Sequence, residues 1–93
     1  MDTQERIKEV TSAMQHLLLE KNKRYGDSAI NPKRRFSKLD STQGILIRLD
    51  DKLNRIEESP ELRANDICDM IGYLTLLLIA KGVTKNEIEN LID

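Results

Sequence analysis

One stretch, Glu61 to Ala80, constrains the fold of this chain more than any other. At roughly 100° per residue, Ile67, Met70, Ile71, Leu74, Leu77 and Leu78 form one apolar helix face. Cys68, Gly72, Leu76 and Ile79 form a second, narrower one. A helix that is apolar on two sides needs cover on two sides. The rest of a small domain supplies one cover, and a further helix or a second subunit supplies the other. Asp66, Asp69 and Tyr73 make a polar strip between the two faces, near the helix N-terminus, and chemistry is expected there.

The remaining segments also read as helical. Thr3 to Arg24 carries a stripe of Ile7, Val10, Met14, Leu17 and Leu18, and the same face continues into Lys21, whose ammonium is carried past the core on an aliphatic stem. His16 falls on the polar side and is read as solvated. Gly26 ends this helix in a left-handed conformation, and Tyr25-Gly26-Asp27-Ser28 opens a long loop. Within the loop, Phe36 is expected to anchor it on the core, and the triplet Lys33-Arg34-Arg35 is either solvated or faces phosphates. Asp40 or Ser41 caps a second helix running to about Ser59, with Ile45, Leu46, Leu49, Leu53 and Ile56 as its core stripe. Pro60 or Glu61 opens the central helix and Gly82 closes it. Thr84-Lys85-Asn86-Glu87 reads as a capping box for a last helix to about Ile92, with Ile88, Leu91 and Ile92 turned inward. The expected fold is all-α, one helical domain over residues 1–93, with three main antiparallel helices, a short fourth and an oligomeric assembly.

Composition narrows the function. A chain of 93 residues buries only roughly 60–65% of its unfolded surface, so oligomerisation would help it. Fifteen basic and sixteen acidic residues give a net charge of −1, which argues against general affinity for nucleic acid or anionic membrane. The single cysteine, Cys68, has no internal disulfide partner, and the first residues lack the apolar core of a signal peptide, so a cytoplasmic location is expected.

Charge placement is more specific. Arg48, Lys52 and Arg55 follow one another at spacings of four and three, so three cations share one flank of the second helix. Asp51 can neutralise Arg48 and Arg55 in ordinary surface pairs; otherwise the row forms donors for phosphate oxygens, and Lys52→Ala or Arg55→Ala should weaken binding with little loss of stability. If the helices pack antiparallel, this row, the Lys21 to Ser28 corner and the Asp66 to Tyr73 strip could converge. Cations would then hold phosphates, a tyrosine would stack on a base, and Asp66 and Asp69 would hold Mg²⁺ or accept hydrogen bonds.

Three ordered pieces, Lys21-Asn22 with Tyr25-Gly26-Asp27-Ser28, Arg48 to Ile56, and Asp66 to Tyr73, resemble the nucleotide modification associated domain family found in phages. The resemblance implies an all-α fold and a nucleotide ligand or substrate. Taken with the convergence of the three patches, it makes Lys21, Tyr25, Asp27, Ser28, Arg48, Lys52, Arg55 and Tyr73 the expected nucleotide-binding residues. A more distant likeness is to all-α MazG-type pyrophosphohydrolases, whose Mg²⁺ site takes two pairs of carboxylates on adjacent helices. Asp66 and Asp69 could stand for one pair, but Glu58 and Glu61 straddle Ser59-Pro60 and do not share a face. The leading expectation is a non-catalytic binder or sponge of phosphorylated or cyclic nucleotides, held between subunits, with no catalytic residue assigned. The alternatives are a Mg²⁺-dependent pyrophosphohydrolase and a helical interaction module whose charges are solvated.

Overall fold

The computed structural model describes residues 1–92 and is helical throughout its regular structure. Four helices follow in order: α1 (Thr3–Arg24), α2 (Ser41–Glu58), α3 (Ala64–Ala80) and α4 (Lys85–Glu89). Each start has a local cause. The Asp2 carboxylate accepts the Glu5 amide at 2.8 Å to cap α1, and Asp40 does the same for Gln43 at 2.8 Å ahead of α2. Gly26 (φ 63°) ends α1, where the Asp27 amide donates back to the Asn22 carbonyl. Gly82 (φ 72°) ends α3, with Val83 and Gly82 amides donating to Leu78 and Ile79 carbonyls, both at 3.0 Å.

The central helix starts at Ala64, later than the expected Pro60 or Glu61, because Ser59 to Arg63 form a separate turn in which the Ser59 hydroxyl donates to the Glu61 carbonyl at 2.7 Å. That turn folds α3 back along α2 as an antiparallel hairpin. α1 packs against α3 alone and stands off α2. Two points fix its direction: a Cβ on Gly72 would lie 2.9 Å from Leu18 Cδ2, and Lys21 Nζ lies 3.2 Å from Asp69. Rising residues on α1 therefore meet falling residues on α3. Both α1 and α2 run opposite to α3, so they run the same way as each other, which differs from an up-down-up bundle. The connection from Tyr25 to Asp40 is long because it must return the chain to the far end before α2 can begin.

Burial corrects three further expectations. Phe36 is fully exposed and does not anchor the loop; Arg34 does so instead, its Nε donating to the Leu39 carbonyl at 2.8 Å while its guanidinium lies over Gly44. Without a Cβ at Gly44 one terminal guanidinium nitrogen of Arg34 can close on α2 there. α4 is only Lys85–Glu89, and Ile88, Leu91 and Ile92 are exposed, because the helix packs against none of the other three. Most consequential is α3. Its broad face is left open at Ile67, Ile71, Leu74 and Leu78, and the positions turned into the chain are the strip holding Asp66, Asp69 and Tyr73. The buried aliphatic core is small: Met14, Ile45 and Leu49.

Candidate functional site

Ile45, Leu49, Lys52 and Ile56 lie on the stripe of α2 that faces α3, so a lysine occupies a core position. Its ammonium is met by two carboxylates one turn apart on α3: Lys52 Nζ is 3.3 Å from Asp66 Oδ1 and 2.9 Å from Asp69 Oδ2. Lys52 is 6% exposed and Asp66 2%, so neither is surface decoration. Arg63, at the N-cap of α3, closes the other side of Asp66 with Nε at 3.2 Å and Nη2 at 3.3 Å. Lys21 reaches across from α1 to Asp69 at 3.2 Å. The chain runs Arg63, Asp66, Lys52, Asp69, Lys21 and ties all three long helices into one polar network.

The network fixes the charge states. Arg63 first, and then Lys52, hold the Asp66 carboxyl below the usual carboxylate range against the opposing effect of burial. Burial would raise Asp69, but Lys52 and Lys21 outweigh it and its pKa is lowered. Lys52 is raised, chiefly by Asp69. The lowered carboxyls add stability that is complete above the ordinary Asp value of about 3.9 and is lost as the pH falls through their folded values. The raised lysine adds stability that is complete below about 10.4 and is lost as the pH rises through its folded value. Urea midpoints should therefore be highest between about pH 5 and 9 and fall on both sides; a midpoint that climbs on acidification to pH ~3 would contradict the network.

Because α1 stands off α2, a cleft of about 420 Å³ opens between them with α3 as its floor. Lys21, Tyr25, Ser28, Arg48, Asp69 and Tyr73 line it, so six of the ten residues singled out from the sequence meet there. Lys52 and Arg55 line a smaller adjoining hollow that shares Arg48, Asp69 and Tyr73 with the first. Asp27 and Asp66 line neither. Asp27, with positive φ (59°), accepts hydrogen bonds from the side-chain amides of Asn22 and Asn31, which lower its pKa and shape the corner that carries Tyr25 and Ser28. The apolar floor is Cys68, Gly72 and Leu76 with Leu18 of α1. Those α3 residues form the narrower apolar face of the helix, and apolarity by itself does not mark them as part of a site.

The donor set fits an anion better than a metal. Lys52 Nζ fills the space between Asp66 and Asp69 where a divalent ion would sit. Among the described residues no three His, Cys, Asp or Glu side chains gather in metal-binding range. Asp51 pairs with neither Arg48 nor Arg55, and both guanidinium groups are without an ion-pair partner among the described residues. Four cations (Lys21, Arg48, Lys52, Arg55) line the two hollows against two carboxylates (Asp51, Asp69), a surplus of two positive charges around a concave site. Such a surplus attracts phosphate.

No protein-family model, curated protein or solved structure matches this chain. The functional reading rests on the cleft itself. No described helix is long and apolar enough to cross a membrane.

Proposed function

We propose that this protein is a phage-type nucleotide-binding protein that holds a phosphorylated or cyclic nucleotide in the cleft between α1 and α2 without turning it over. The supporting observation is the pair of unpartnered guanidinium groups, Arg48 and Arg55, beside Tyr73 and, across the cleft, Tyr25. Arginine presents a planar fork to phosphate oxygens, and a tyrosine ring offers a face for a base. A volume of about 420 Å³ lies in the range of small-ligand sites, roughly 300–1,000 Å³. Lys21 and Lys52 serve this site indirectly, by holding Asp69 in place as an acceptor for ribose or base. The residues named here come from one chain, and the protein acts as a cytoplasmic homo-oligomer.

The pairing of the two aspartates supports binding without metal-assisted turnover. Metal-assisted hydrolysis needs carboxylates free to bind Mg²⁺ and activate water, and here both aspartates are committed to lysine and arginine. Calorimetric titration with a panel of nucleoside triphosphates and cyclic dinucleotides tests the reading. Binding of at least one, salt-sensitive and with no monophosphate or pyrophosphate released in millimolar Mg²⁺, is expected. Release of either product would establish the pyrophosphohydrolase instead, and no heat from any member would leave the charges as solvated decoration.

A further inference from the structure

From the open face of the α2–α3 hairpin, we infer that the protein forms a two-fold homodimer through it, on the side away from the cleft. The α3 residues left open, Ile67, Ile71, Leu74 and Leu78, follow at spacings of four, three and four. That is the repeat of a coiled-coil seam, and its natural complement is another helix with the same repeat. α2 extends the patch. In an antiparallel pair, the flank of α2 carrying Leu46 and Leu53 emerges on the same side as this seam, while Arg48 and Arg55 emerge on the cleft side. These six side chains are 37–49% exposed, and Asp50 and Glu57 border the α2 part of the patch.

The exposed area of the chain as a whole leaves ample surface for a second copy to cover. A compact monomer of 10.7 kDa exposes roughly 5,500 Å², whereas this chain exposes 7917 Å². The difference, roughly 2,400 Å², is about three times the 800 Å² each partner gives to a standard interface. The radius of gyration of 15.1 Å exceeds the ~12 Å of a compact chain of this length. A core of three buried aliphatic side chains is small for such a chain, and a self-complementary apolar seam supplies what it lacks. Two hairpins packed face to face make a four-helix layer with a cleft on each outer side. The dimer does not depend on what those clefts bind.

Sedimentation equilibrium of the full chain should give twice the 10.7 kDa chain mass, and the double variant Ile71→Glu, Leu74→Glu should give the single-chain mass with its helical circular dichroism retained. Both positions are exposed in the single chain, so the substitutions leave its own core intact. As a second measurement that needs no disruptive variant, a photo-crosslinking amino acid at position 74 should join two copies, with the adduct mapping to α2 or α3. A monomeric wild type, a dimer that survives the double substitution, or an adduct confined to α1 of the other copy would each overturn the proposal.

Discussion

Replacing Lys52 with methionine should cost about 3 kcal/mol and lower the melting temperature by more than ~10 °C at fixed protein concentration. The side chain lies at a core position, and among the described residues its ammonium is the only cation that touches both Asp66 and Asp69. Methionine matches its shape but leaves a carboxylate in a buried setting with half its partners gone, and that residual charge is what makes the loss large. The loss falls at the low end for a broken buried pair because Arg63 still neutralises Asp66 from its exposed side. Adding Asp66→Leu to the variant should return part of the lost stability, since an apolar pair of similar volume carries no desolvation cost. Denaturant curves of the two single variants and the double variant, compared as a cycle, check this. A loss under ~1 kcal/mol for Lys52→Met would place the pair among ordinary surface contacts. Helix spacing alone predicts little stability loss at Lys52; burial between two carboxylates reverses that expectation.

Arg48→Ala should behave in the opposite way, with the melting temperature nearly unchanged and nucleotide affinity down about ten- to a hundredfold, the range for losing a hydrogen bond to a charged group. Arg48 is exposed, pairs with no carboxylate among the described residues, and lines both the main cleft and the adjoining hollow. Its removal therefore takes nothing from the fold and one fork of donors from the ligand. Arg48→Lys should recover part of the affinity, because the charge returns without the planar fork. The contrast between the two variants separates the structural cation from the binding one. If Arg48→Ala bound the nucleotide panel as tightly as the parent, phosphate recognition would have to lie elsewhere.

Helix boundaries were legible where local chemistry sets them. Asp2, Asp40 and Thr84 cap as their residue types suggest, and Gly26 and Gly82 end helices in the left-handed conformation that glycine tolerates. The members of the cleft were also legible in part, because a four-and-three spacing places Arg48 and Arg55 on one flank whatever packs beside it. What the sequence could not fix was which side of α3 turns inward. Periodicity counts apolar residues and assigns the larger face to the core, but Lys52 on the inward stripe of α2 needs carboxylates opposite. Asp66 and Asp69 meet that need only when the broad face of α3 turns outward. The direction of α1 was hidden for a related reason: a long loop permits either sense, and the choice rests on distant contacts such as Lys21 with Asp69 and Leu18 with Gly72. Phe36 misled because an aromatic ring in a loop usually finds a core, and here Arg34 had already tied the loop to α2.

The most direct test of the binding cleft is to record amide NMR spectra of the protein while adding the nucleotide that titrates most strongly. Saturable shifts should concentrate in residues 21–29, 48–55 and 68–76, the three segments that surround the space between α1 and α2. Shifts confined to the outward seam of α3 or to residues 33–36, with the cleft segments unmoved, would contradict the account.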